Sequence, residues 1–194
     1  MPVMMNQTAQ DAISVEMAEI KVSTRLTDRL VAYGLGACIG LCIYDPVFRI
    51  AGLAHIVLPA CQPSANAVPR AGSLPRKSAF VGKFADEAVP KLIEDICRGG
   101  GKRENLVAAI VGGAHIFSTL GSSGSPSRLE IGARNVIAVS DALDEAEVPV
   151  VATDVGGSHG RTVTLKACDG TVSIRPIGSE EWLLTSLGKA GCKA

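Results

Sequence analysis

Two residues carry the chemistry that this sequence can offer. Cys38 stands in the glycine-framed stretch GLGACIG (34–40), and His55 in GLAHIVLP (52–59). A free thiol has a pKa of about 8.5 and is mostly protonated near neutrality. An imidazole beside it can take the proton and leave a thiolate next to an imidazolium. Glycines flanking the cysteine let a substrate come close to the main chain, and amide N–H groups there can hold an oxyanion. These are the parts of an acyl-transfer site. The plainer reading of the same residues is a buried thiol and a satisfied core histidine, and the register between their segments decides between the two. Phosphate binding is disfavoured. The P-loop pattern GxxxxGK[ST] is absent, and LCIYDP follows the glycines where a dinucleotide fingerprint opens a helix.

The segments that hold the pair read as a hairpin. Asp45-Pro46-Val47-Phe48 has turn chemistry, with Asp first and Pro second. A turn closed between Asp45 and Phe48 places Cys38 directly opposite His55, with Cβ atoms roughly 4.5–5.5 Å apart. The same register sets Ile39, Leu41 and Ile43 on the other face, opposite Ala54, Gly52 and Ile50, as a core face. A slip of one residue would send the pair to opposite faces. Cys42, with Ala51 opposite, reads as packing. His115 in GGAHIF and His159 in GGSHGR read as loop residues.

Around this hairpin, SVEMAEIKVS (14–23) alternates as a strand, and RLVAYGLGACIGLCIYD (29–45) reads as extended chain broken by glycines. ACQPSANAVPRAGSLPR (60–76) is a proline-rich loop. A helix is expected over 78–101, capped by Ser78, stopped by Gly99–Gly101 and kinked by Pro90, with Phe80, Phe84, Ala88 and Leu92 on one face. NLVAAIVGGA (105–114) reads as a buried strand and IGARNVIAVSDALDEAEV (131–148) as a second helix. PVVATDVGG and RTVTLKACDGTVSIRPI follow as extended runs, with a hairpin turn at Asp169-Gly170. Few helices separate successive strands, so a doubly wound parallel sheet is disfavoured. The expected class is α/β of the α+β kind: mixed, mostly antiparallel β-sheets flanked by two long helices. One domain spans 1–194, with 1–13 and 177–194 as tails and Trp182 docking the second.

Composition narrows the function classes. Lys+Arg and Asp+Glu are 19 each, so no net charge marks a nucleic-acid binder. No apolar run approaches the ~20 residues of a membrane span, and the N-terminus lacks the pattern of an export signal; a cytoplasmic protein is expected. The six cysteines (Cys38, Cys42, Cys61, Cys97, Cys168, Cys192) include no CxxC pair, which disfavours zinc and thioredoxin-type readings.

The blocks GLGACIGLCIYDP, GLAHIVLP, FADEAVPKLI, GGAHIF, IGARNV and DVGGSHGR, in this order, resemble the chemoreceptor glutamine deamidases of the CheD type over roughly Ser14 to Pro176. The resemblance implies a three-layer fold. It implies hydrolysis of glutamine side chains in methyl-accepting chemotaxis receptors to glutamate, with Cys38 as nucleophile, His55 as its partner, and neither metal nor cofactor. It implies chemoreceptors as partners, and also a CheC-type phosphatase. The family usually places a threonine six residues before the cysteine; here Ala32 stands there. Either a backbone carbonyl near Ala32 orients His55, or the protein is a catalytically weakened adaptor that works by binding. Arg70, Arg76, Lys77 and Lys83 lie in a stretch without acidic residues, read as a solvated loop or as a contact for an acidic receptor surface.

Overall fold

In the computed structural model, residues 12–60, 80–115 and 131–190 are described. Strands β4 (Ile39–Asp45) and β5 (Ile50–Ile56) are buried at every position. A strand covered on both faces needs apolar or small residues throughout, and both segments have them. One face carries Ile39, Leu41, Ile43, Ala54 and Ile56 against helices α1 (Ala85–Arg98) and α2 (Ile131–Glu145). The other carries Cys42, Tyr44, Ala51 and Leu53 against a second sheet. Each fully buried Leu or Ile there contributes about 1.5–3 kcal/mol.

The central sheet contains β2 (Ile20–Ser23), β5, β4, β6 (Val107–Gly112) and β7 (Val150–Val155), in that spatial order. The outer sheet runs β1 (Ala12–Ser14), β3 (Arg29–Leu35), β8 (Arg161–Lys166), β9 (Thr171–Pro176) and β10 (Trp182–Ser186). Among the described strands only β1–β3 and β6–β7 pair in parallel. The second of these pairs has α2 between its strands, the crossover that parallel neighbours require. The layers are therefore sheet, sheet, helices: the mixed, mostly antiparallel α+β architecture that the sequence implies.

Several boundaries differ from the sequence reading. The run 14–23 is two strands in two different sheets, separated by a reversal at Ala18, whose φ is 64°. Alternation alone cannot reveal a strand that changes sheets, because the side-chain period is the same on both sides of the break. The run 29–45 also divides: β3 is in the outer sheet and β4 in the central one, so Gly36–Cys38 is the crossover between sheets. Helix α1 starts at Ala85, later than expected. Phe84 is extended (φ −112°, ψ 139°), and the Val57 and Leu58 amides both donate to the Lys83 carbonyl, holding that stretch beside the end of β5. Phe80 precedes the helix and is exposed, while Ser78 lies outside the described residues. The segment expected as a C-terminal tail supplies edge strand β10 and the short helix α3 (Leu187–Ala190), with Leu187 buried. Arg70, Arg76, Lys77, Cys61 and Cys192 lie outside the described residues. Among those described, no helix is long and apolar enough to cross a membrane.

Candidate functional site

The hairpin that carries the two candidate residues is longer at its turn than the sequence implies. The Asp45 carboxylate Oδ1 accepts the amides of Val47 and Phe48, both at 2.9 Å, and Oδ2 accepts the Lys102 amide at 2.8 Å. Arg49 takes a left-handed φ of 56°. Residues 46–49 thus form the connection, and Asp45 pairs with Ile50. His55 consequently faces Gly40, and the expected direct opposition of Cys38 and His55 is corrected by two residues. Two is also the side-chain period of a strand, so every residue keeps its expected face. Cys38 stands one residue before the last ladder pair, Ile39 with Ile56, and packs against the inter-sheet core that His55 also faces.

Cys38 ends the crossover from the outer sheet, and its approach is fixed carbonyl by carbonyl. Gly36 O accepts the Ala114 amide at 2.7 Å, Ala37 O accepts Asn135 Nδ2 at 2.8 Å, and Cys38 O accepts the Gly113 amide at 2.9 Å. Gly112, at φ 116°, makes the last contact feasible: a Cβ there would lie 2.2 Å from Cys38 O. With the carbonyls engaged on the protein side, the amides of Ala37 and Cys38 donate to no backbone carbonyl among the described residues. The Cys38 side chain is half-buried against the inter-sheet core. Burial pushes its thiol pKa up.

His55 is 3% exposed on the inter-sheet face. Its main chain is tied to the β1–β2 connection, with the His55 amide donating to Glu19 O at 3.0 Å and the Ala18 amide donating to His55 O at 2.9 Å. The ring Nδ1 lies 3.3 Å from Val15 O. A carbonyl only accepts, so this contact selects the tautomer protonated at Nδ1 and leaves Nε2 as the acceptor nitrogen. Nε2 is buried and has no hydrogen-bond partner among the described residues. Gly40 opposite leaves space filled by Leu35 and Val163, whose methyl carbons would lie 2.7 and 2.8 Å from a Cβ built there. Burial lowers the imidazole pKa, countered by the Val15 bond and the charge of Glu16. Burial thus acts on both side chains in the direction of the neutral form. No hydrogen bond between Cys38 and His55 occurs among the described residues.

Ala32 is fully buried and pairs with Val163, so it offers His55 no hydroxyl. The backbone carbonyl that meets the imidazole instead is that of Val15, whose own amide donates to Val31 O, next to Ala32, at 2.8 Å. Cys42 faces Leu53 and is fully buried, its pKa pushed up to about 12 by burial. His115 and His159 are exposed; the His115 amide donates to Gly157 O at 2.8 Å, and His159 Nδ1 is 3.0 Å from Ser158 Oγ. A groove of about 540 Å³ lies away from these residues, between α1 and α2, with Pro90, Ala138 and Glu145 in its walls.

The sequence reading passes over one residue. Asn135 is fully buried, and its Nδ2 donates to Ala37 O at 2.8 Å and to Val57 O at 3.0 Å. A signal for it exists: Asn135 interrupts the apolar stripe of α2 that runs through Gly132, Val139 and Leu143. Its Oδ1 is buried with no partner among the described residues, a placement that costs about 1–3 kcal/mol.

A family model described as CheD chemotactic sensory transduction matches residues 69–176. A protein of Symbiobacterium thermophilum named "Probable chemoreceptor glutamine deamidase CheD" is 38% identical over 87% of this chain and 94% of its own length. Relatives with the same name in Desulfitobacterium hafniense (37% identical; 88% of this chain and 97% of the relative) and Clostridium kluyveri (38%; 84% and 96%) are similar to the chain over comparable spans. Among solved structures, the hypothetical protein YfiH of Bacillus licheniformis is similar at 14% identity and a TM-score of 0.38, covering 69% of this chain and 50% of that one. With relatives this alike along nearly their whole length, the chain belongs to the CheD family.

Proposed function

We propose that this protein hydrolyses glutamine side-chain amides of chemoreceptors to glutamate, with Cys38 as nucleophile and His55 as general base and acid. The observation that carries the reading is the buried Nε2 of His55, without a partner among the described residues, on the same inter-sheet face as Cys38. The names of the curated relatives supply the substrate class. As substrate enters, the Cys38 thiol proton passes to Nε2 while sulfur bonds to the carboxamide carbon. Because burial favours the neutral forms, proton transfer accompanies attack and no thiolate is stored beforehand. The amides of Ala37 and Cys38 are the donors available for the tetrahedral oxyanion. The imidazolium returns its proton to the nitrogen, ammonia leaves and a thioester remains. His55 then takes a proton from water, which attacks the thioester; the thiol is restored and glutamate released. The Val15 carbonyl holds the ring in the tautomer this requires, the orienting role that Ala32 cannot fill.

Ala32 favours a second reading, in which the protein binds receptors or a CheC-type phosphatase without turnover. Intact-mass analysis of a chemoreceptor cytoplasmic fragment separates the two. The deamidase reading requires a gain of about 1 Da per modified glutamine with the wild type and none with Cys38→Ser, since amide N–H₂ is exchanged for O–H. Stable binding with no mass change would establish the adaptor instead.

A further inference from the structure

We propose that Asn135 is the positioning residue of this site, the one side chain among the described residues that hydrogen-bonds the cysteine segment and the histidine segment together. The inference rests on the Cys38–His55 reading above. Cys38 and His55 reach the site from different directions: Cys38 at the end of the crossover from the outer sheet, His55 near the end of β5. The β4–β5 ladder pairs Ile39 with Ile56 and has no pair beyond it. The peptide before Cys38 and the residue following Ile56 therefore lie past the last ladder pair. Asn135 spans this gap. Its two N–H bonds are spent on Ala37 O, the carbonyl of the peptide whose amide belongs to Cys38, and on Val57 O, two residues after His55.

The geometry fixes the orientation of the amide. Both targets are carbonyls, so the side chain must present nitrogen to them, and the oxygen is left with no donor among the described residues. A fully buried group that leaves its own acceptor unpaired is a poor choice for stability alone. An apolar residue would continue the stripe of Val139 and Leu143 at no such cost, though it would leave the two carbonyls bare. The arrangement gains meaning from what those carbonyls carry. Holding Ala37 O inward turns the Cys38 N–H of the same planar peptide outward, where an oxyanion donor is needed. The first turn of α2 is built for this approach: a Cβ at Gly132 would lie 2.5 Å from Gly113 O, and Gly113 in turn donates to Cys38 O. Asn135 itself touches no reacting atom in this scheme, so its effect is on the step that needs Cys38 and His55 aligned.

The test compares wild type, Cys38→Ser and Asn135→Ala on a chemoreceptor cytoplasmic fragment, with circular dichroism and Tm recorded for each. Asn135→Ala is expected to lose about 10–100-fold in kcat with KM within about twofold, because a misaligned nucleophile slows chemistry without removing a substrate contact. A folded Asn135→Ala protein with wild-type kcat overturns the inference, provided Cys38→Ser is inactive. Turnover by Cys38→Ser overturns the underlying reading instead, whatever Asn135 does. If Asn135→Ala does not fold, the wild type supplies the readout. The Asn135 side-chain amide signals in a ¹⁵N spectrum must shift when Cys38 is alkylated, and unmoved signals overturn the inference.

Discussion

Replacing Gly112 by alanine tests how tightly the nucleophile is placed. Gly112 adopts φ 116°, a conformation that L side chains rarely take. That strain costs about 1–3 kcal/mol. The added Cβ would also lie 2.2 Å from the Cys38 carbonyl oxygen, against an ordinary contact beginning at 3.4 Å. The obstacle is backbone, not the flexible end of a side chain, so the Cys38 peptide must retreat by about 1 Å, a displacement able to cost 10²-fold in rate. Gly112→Ala is therefore expected to lose about 1–3 kcal/mol in urea unfolding and about 10²-fold in kcat for deamidation of a receptor fragment. Gly178 is the control: it also has positive φ, 78°, yet nothing lies within 4 Å of where its Cβ would stand. Gly178→Ala should carry a strain of about 1–2 kcal/mol and leave kcat unchanged. A folded Gly112→Ala protein that deamidates at the wild-type rate would refute the reasoning, because the oxygen it must displace belongs to the proposed nucleophile.

Three further outcomes follow from the same structure. Asp45→Ala removes the acceptor for the Val47, Phe48 and Lys102 amides and should destabilise the fold by about 3 kcal/mol in denaturant unfolding; a loss below about 0.5 kcal/mol would show that the turn does not depend on it. Because burial lowers the His55 pKa, the neutral base should persist below the ordinary value of about 6.5. The acid limb of kcat/KM should then have its midpoint under that value, and a midpoint above it would contradict the neutral resting pair. The same shift makes His55 stabilising above about pH 6.5, with the contribution lost as pH falls through the lowered folded-state pKa. His55→Gln should flatten that part of the stability profile.

The site is partly legible in the sequence because strand faces tolerate certain errors. The register implied by Asp45-Pro46 is off by two residues, yet Cys38 and His55 keep a common face because the error equals the strand period. What sequence cannot supply is the turn length, which depends on Asp45 accepting two amides and on the left-handed Arg49. Nor can it show that 14–23 and 29–45 each cross between sheets, since the side-chain period is the same on both sides of a break and a glycine break does not say which sheet the next strand joins. The orienting carbonyl of Val15 is beyond reach for the same reason: every residue has a carbonyl, and only the crossing after β1 brings this one to the imidazole. Asn135 is within reach, as a polar residue on a buried helical stripe.

The central claim is that the Cys38 sulfur forms a covalent bond to the substrate. Acid-quenching the wild type during turnover of a glutamine-containing receptor peptide, followed by digestion and mass spectrometry, tests it most directly. The account predicts a thioester on the peptide containing Cys38, its mass increased by that of the substrate less ammonia, and absent from Cys38→Ser. Continued deamidation with the adduct on a different cysteine, or by Cys38→Ser itself, would contradict it.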